Sequence, residues 1–374
     1  MGYNNEKASL NQFSALYEYC QKKVISQIKT VLIKADFDEN APIEQELPFV
    51  YESKNKEDLI PVVSFDGGLA TIFPGELAET KLIKVAGACP PKWQDSFIGL
   101  RDEMFHVLSG LLKWPEGAEL SEEEMIQKTI DQALEVDSIL ETLDHLGLSA
   151  DQFKDSMIGH LKYKQGNQVE DCFREILEWC LIINFTYRQK QNSKIDFKNP
   201  IPYIIVKDGS LYPFGKTVGD LMSAEIEKFL NSGICPIVGM VKSSRFVAKD
   251  SSYRKAINKY LKKIKGNTFF KIPKKLEMII DSRENFYERY FFSILSGNSV
   301  YEIQIPKVNF QKKKQYAESI MDVLNAQITF NFGGSISTNS YAHQLASLSE
   351  AESRFLTDKI KSDLFKEVKK EGNK

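Results

Sequence analysis

The hydrophobic patterning of the chain predicts a mixed α/β sheet flanked by helices, with a helical insertion. Three observations carry this expectation. Short apolar runs broken by Gly and Pro fill residues 61–89, the pattern of strands with tight connections. Residues 167–188, NQVEDCFREILEWCLIINFTYR, predict a helix whose later half is apolar on most sides, as in a helix buried against a sheet. The second half of the chain then alternates strand, helix and strand patterns.

Taken in order, residues 8–35 predict an amphipathic helix, with Leu10, Phe13, Leu16, Tyr17, Val24 and Ile28 at helical spacing. Residues 38–60 are polar and irregular. Strands are expected at 61–65, 69–73 and 82–89. Residues 97–164 turn acidic and helical, and Ser121 with Glu124 has the form of a capping box. After the helix 167–188 come a strand at 202–207 and a helix at 217–231, capped by Thr217 and closed by Gly233. A strand at 235–241 precedes a basic helical region at 250–265. Strands are expected at 268–272, 276–281, 289–295 and 300–305, and helices at 311–327 and 341–369. The chain thus divides into an N-terminal helix and linker (1–60), a main domain (61–350) carrying the helical insertion 97–164, and a C-terminal helical tail (351–374).

Composition bounds the function classes. The 374 residues carry a net charge of −2, so bulk charge selects no partner. The distribution is uneven. Residues 116–151 hold eleven acids and one basic residue, Lys128, whereas residues 249–275 hold ten Lys/Arg and one acid, Asp250. A local basic stretch suits phosphate binding and equally suits a solvated helix face. The five cysteines form no CxxC pair, and the first residues are polar, without a signal-peptide core. No apolar run approaches the ~20 residues of a membrane span. These features predict a soluble, cytoplasmic protein with no membrane partner.

Two stretches point to chemistry. PVVSFDGG delivers Asp66 from an apolar strand to a Gly pair, and IIVKDGSL delivers Asp208 to Gly-Ser. A carboxylate at the end of a buried strand is costly unless neutralised, and Mg²⁺ or Mn²⁺ is a common solution. Either Asp alone also suits a turn. Two ions about 4 Å apart can clamp a phosphodiester, and the number of ions is left open. In the basic stretch, Tyr253, Tyr260, Phe269 and Phe270 interleave with the charges as in a single-strand groove, although Phe269 and Phe270 are expected in the core.

In order, VVSFDGG, FREILEW, IIVKDGSL, PIVGMVKSSRF and YAHQLA resemble the NurA family of DNA-end-processing nucleases, over roughly residues 60–350. DGG stands here where the family usually has DGS. The resemblance implies an RNase H-like fold. In that fold one Asp lies on the first strand of a three-strand meander, a Glu on the helix after it, and a second Asp on the next strand. It implies a Mn²⁺ (or Mg²⁺) site of Asp66, Glu178, Asp208 and His343, with Glu175 the alternative to Glu178. It further implies cleavage of DNA from ends in repair or defence, as an exonuclease or single-strand endonuclease. A homodimer and a HerA-type hexameric ATPase partner also follow from it. Lys242 and Arg245, just past the strand PIVGMV, suit the scissile phosphate or the nucleic-acid backbone; Lys262, Lys263 and Lys265 suit DNA phosphates. A catalytically inactive nucleic-acid-binding or scaffold protein of the same fold is the alternative. The chain has no P-loop, so ATP-driven work would come from a partner.

Overall fold

The computed structural model describes residues 49–53, 60–72, 78–111, 121–162, 164, 167–195, 201–212, 215–234, 236–241, 267–272, 287–294, 299–307, 313–327, 337–347 and 350–371. The helix expected at 8–35, the basic helical region 250–265 and the strand expected at 276–281 lie outside these residues.

Among the described residues nine strands form one sheet. They are β1 (Phe49–Glu52), β2 (Val62–Ile72), β3 (Ala78–Ala88), β4 (Glu103–Leu111), β5 (Ile204–Asp208), β6 (Ile237–Val241), β7 (Thr268–Lys271), β8 (Tyr287–Ile294) and β9 (Ser299–Pro306). Their order across the sheet is β1-β7-β8-β9-β6-β5-β2-β3-β4. β2, β3 and β4 form an antiparallel meander, and β5 and β6 run parallel to β2. β9, β8, β7 and β1 extend the other side antiparallel. A meander, a helix, and then a strand parallel to the first is the order the sequence resemblance implies.

The helices are α1 (Glu122–Ala133), α2 (Asp137–Leu146), α3 (Ala150–Leu161), α4 (Asn167–Lys190), the single turn α5 (Gly215–Val218), α6 (Asp220–Asn231), α7 (Lys313–Ala326), α8 (Ser337–Ala346) and α9 (Glu350–Glu371). Side-chain alternation in the strands sorts the core into two layers. Val63, Phe65, Tyr203, Ile205 and Ile237 face α4, joined by the apolar faces of α1–α3 and α6. Val62, Ile204, Val206, Val238 and Met240 face the opposite way, onto Ile320, Met321 and Leu324 of α7. Helix α4 is central because its apolar surface runs round it: Phe173, Ile176, Leu177, Trp179, Ile182, Ile183 and Phe185 are all buried. Each such side chain contributes roughly 1.5–3 kcal/mol of burial. Asn184 of α4 donates to the Ser138 carbonyl at 2.8 Å and accepts from Thr142 Oγ1 at 2.9 Å, which fixes the register of α2 on α4. Phe269 and Phe270 are fully buried, as expected.

Four elements differ from the sequence expectation. The runs 61–65 and 69–73 are one continuous strand, because Gly67 and Gly68 pair with Val85 and Lys84 instead of turning. Residues 103–111, expected as helix, form β4, where Phe105 and Val107 alternate inward against Met104 and His106 outward. Thr217 lies inside α5, and α6 starts after Gly219, whose φ of 82° breaks the chain direction. The terminal helix expected at 341–369 is two helices, α8 and α9. The capping box is as expected: Ser121 Oγ accepts from the Glu124 amide, and Glu124 accepts from the Ser121 amide at 2.7 Å. No described helix is long and apolar enough to cross a membrane.

Candidate metal centre

The carboxyl ends of β5 and β6 lie where the parallel pairing of β2 stops, the kind of place where open α/β sheets leave a crevice. Pairing between β2 and β5 stops at Phe65 and Lys207, so the next residue of each strand, Asp66 and Asp208, sits where the strands part. A cleft of about 510 Å³ opens there, lined by Asp66, Asp171, Arg174, Glu175, Lys207, Asp208 and Val241 among others. Both aspartates project toward the α7–α8 layer, since each is in phase with the Val62 and Val206 set.

Helix α8 adds the third group. Thr338, Ala342 and Ala346, spaced four apart, are buried small residues that let its backbone lie close on β2. Ser64 Oγ and Thr338 Oγ1 are 2.6 Å apart, which pins the helix to the strand. Gly68 completes the fit: a Cβ there would stand 2.4 Å from the Ala346 carbonyl oxygen. That approach explains why DGG suits this chain. Docked in this way, α8 sets His343 Nδ1 2.7 Å from Asp66 Oδ2. Asp66 Oδ1 meanwhile accepts from the Gly67 amide at 2.8 Å. Ligand atoms of Asp66, Asp208 and His343 all lie within 4.8 Å of one another.

The loop after Asp208 is fixed from two sides. Gly209 turns with φ of 92°, and its amide donates to the Met240 carbonyl of β6 at 2.8 Å. Gln304 of β9 accepts from Ser210 Oγ at 3.0 Å and from the Leu211 amide at 2.8 Å. Gln304 in turn donates to Glu302, which pairs with Arg289.

Glu178 stands apart from this cluster. It lies on the α4 side of the sheet, against Gly67, and is 1% exposed. Arg174 Nη1 approaches its Oε1 at 2.7 Å, and Lys207 Nζ approaches its Oε2 at 2.9 Å. Lys207 is equally buried and also pairs with Glu175 Oε1 at 3.0 Å. Burial pushes the Glu178 carboxyl upward, opposed by Lys207. Burial alone would lower Lys207, but Glu175 and Glu178 together raise it above the ordinary lysine value. On balance burial wins and raises the Glu178 carboxyl to about 7, even with Lys207 and Arg174 against its two oxygens. Glu175, one turn earlier, lines the open cleft and accepts from the Trp179 indole at 3.1 Å.

Of the candidate residues, the structure therefore brings together Asp66, Asp208 and His343, and puts Glu178 behind Lys207 and Arg174. Lys242, Arg245, Lys262, Lys263 and Lys265 lie outside the described residues. Sequence reading missed Lys207, Arg174 and Gln304. For Lys207 a signal existed: a lysine in phase with Tyr203 and Ile205 points into the core and requires a carboxylate partner.

Two carboxylates and one imidazole suit a divalent cation of the Mn²⁺ or Mg²⁺ kind. Oxygen donors match both ions, the nitrogen favours Mn²⁺, and three protein ligands leave positions for water and phosphate oxygens.

No protein-family model and no curated protein matches the chain. Among solved structures it is similar to the NurA nuclease from Sulfolobus solfataricus, with 13% identity and a TM-score of 0.46 over 98% of this chain and 97% of that one. A second NurA crystal structure has 10% identity and a TM-score of 0.40, over 91% of this chain and 97% of that one. The catalytic domain of human endonuclease V has 9% identity and a TM-score of 0.32, over 78% and 82%. At identities and scores this low, the weight of a functional reading falls on the chain's own cluster of Asp66, Asp208 and His343.

Proposed function

We propose that the chain is a divalent-metal-dependent deoxyribonuclease that processes DNA ends. The observation that supports this reading is the convergence of Asp66, Asp208 and His343 at a cleft where the parallel pairing of β2 and β5 ends. These three residues would hold the ion, Mn²⁺ or Mg²⁺. Bound there, it would supply Lewis acidity to a phosphoryl oxygen and activate water for in-line attack.

The chain's own residues do the rest. Asp66 is fixed by the Gly67 amide and Asp208 by the braced Gly209–Ser210 turn, so neither carboxylate must reorganise when loaded. His343, mostly exposed, is held beside Asp66 at the mouth of the cleft, 2.7 Å from its Oδ2. Arg174 lines the cleft with a quarter of its side chain exposed and supplies a fixed positive charge to a phosphodiester. Lys242 directly follows Val241, a cleft residue, and Arg245 lies three residues on; both would contact the same backbone. Lys262, Lys263 and Lys265 would track more distant phosphates.

The sequence resemblance extends the proposal to exonucleolytic or single-strand endonucleolytic cleavage in repair or defence. It also extends it to a homodimer, and to a HerA-type hexameric ATPase that feeds DNA past the cluster. The test is incubation with end-labelled single- and double-stranded DNA in Mn²⁺, Mg²⁺ or EDTA. Cleavage should require the ion and vanish in Asp66→Asn and Asp208→Asn. Cleavage by either variant at near wild-type rate would defeat the assignment.

A further inference from the structure

Lys207 is coordinated like a small cation. Its Nζ has three oxygen neighbours: Glu178 Oε2 at 2.9 Å, Glu175 Oε1 at 3.0 Å and the Asp208 carbonyl at 3.1 Å. Three oxygens match the three N–H groups of an ammonium in number, one as a hydrogen bond and two as ion pairs. Glu178 is flanked by two cations, with Oε1 2.7 Å from Arg174 and Oε2 2.9 Å from Lys207. The Trp179 ring lies against Lys207, with Nζ 5.6 Å from its centroid. Lys207 and Glu178 are each 1% exposed, and Glu175, at 15%, is the member that meets the cleft.

The position of this cage matters as much as its content. It is built from carboxylates on the α4 side of β2 and β5, and its Lys207 and Glu175 line the same cleft as Asp66 and Asp208. A second divalent ion at this centre would need α4 carboxylate oxygens. Removing Lys207 from between them would leave two buried carboxylates without their cation, and breaking a buried pair from one side is strongly unfavourable.

We propose that Lys207 is a built-in second cation: it neutralises Glu175 and Glu178 in place of a divalent ion, so the centre takes one divalent ion per chain. This rests on the metal-centre reading above. Lys207 is a positioning residue here. It holds the α4 carboxylates away from the ion and fixes the Asp208 carbonyl beside the ligand carboxylate. Glu175 and Glu178 are not ion ligands.

The experiment is Mn²⁺ titration of the full chain by calorimetry, with electron paramagnetic resonance of the loaded protein. The wild type should bind one Mn²⁺ and give the six-line spectrum of an isolated ion. Glu178→Gln and Glu175→Gln should keep that stoichiometry and an affinity within about threefold, whereas Asp66→Asn should lose binding. Lys207→Met, which removes the ammonium and keeps the stem, should raise the stoichiometry toward two, with a spin-coupled spectrum. Two coupled ions in the wild type, or loss of Mn²⁺ binding in Glu178→Gln, would overturn this inference and leave the nuclease reading standing. A wild type that binds no Mn²⁺ would overturn both. Should Lys207→Met fail to fold, the two glutamine variants and the wild-type spectrum decide.

Discussion

Replacing Gly68 with alanine should uncouple His343 from Asp66 without touching either residue. The new Cβ would stand 2.4 Å from the Ala346 carbonyl oxygen and 2.9 Å from its carbon. Ordinary contact begins at 3.4 Å, so the C-terminal end of α8 must retreat by about 1 Å. Both sides of this contact are backbone, one in a central strand and one in a helix, so no side-chain rotation relieves it. Overpacking of this kind costs roughly 1–3 kcal/mol. His343 is three residues before Ala346 on the same rigid helix, so it moves with it. The 2.7 Å approach to Asp66 then lengthens beyond hydrogen-bonding range. Loss of one oriented ligand should weaken Mn²⁺ binding about 10–100-fold. Calorimetric Mn²⁺ titration reads the affinity, and urea unfolding reads the stability. Gly67→Ala is the internal comparison: its Cβ would meet Glu178 Oε1 at 2.6 Å on the α4 side, so it should perturb stability more than Mn²⁺ affinity. A Gly68→Ala protein with wild-type stability and Mn²⁺ affinity would refute the idea that backbone contact between α8 and β2 sets the third ligand.

Gly159 sits on the exposed side of α3, and a Cβ there meets nothing within 4 Å; Gly159→Ala should stabilise the fold by about 0.5–1 kcal/mol in urea unfolding. Burial pushes the Cys89 thiol up to about 11 and the Cys180 thiol up to about 12, and raises Cys172 as well. In a Cys20→Ser/Cys235→Ser background these three should ignore a disulfide reagent at pH 8, where hardly any is thiolate, and react fully in guanidinium. Fast labelling of the native protein would contradict their placement. Gln304→Ala leaves Ser210 Oγ and the Leu211 amide without their acceptor. It should cost roughly 1–3 kcal/mol and slow Mn²⁺-dependent cleavage, with Mn²⁺ stoichiometry unchanged.

The sequence made the two aspartates legible because each ends an apolar run and is followed by Gly, and strand periodicity survives in a single chain. Helix α4 was legible for the same reason, since its apolar surface is too wide for a solvent-facing helix. What escaped was whatever depends on partners distant in sequence. Gly67 and Gly68 read as a turn, and only the close approach of α8 and α4 on either face explains glycine in the middle of a strand. β4 read as helix because its edge position leaves Met104 and His106 exposed, which blurs the alternation. Glu175 and Glu178 could not be separated from spacing, because both lie on one helix face one turn apart. Lys207 from β5 reaches both; what separates them is that Arg174 covers Glu178, whereas Glu175 takes the Trp179 indole and meets the cleft.

Neighbouring residues of β5 carry opposite charge to opposite layers: Lys207 enters the α4 carboxylates, and Asp208 enters the cluster with Asp66 and His343. This makes the strand intolerant of insertions and deletions in a way its apolar residues alone would not. Loss of one residue among Ile204–Val206 would exchange the two side chains between faces. An ammonium would then stand among the proposed ion ligands, and a third carboxylate would join Glu175 and Glu178 with no cation between them. Both errors are electrostatic, and the second falls among side chains that are almost wholly buried, so they compound. Point substitutions that preserve length are the route of change left open to this strand, and its pairing register is set by the sign of two adjacent charges as much as by its hydrophobic side chains.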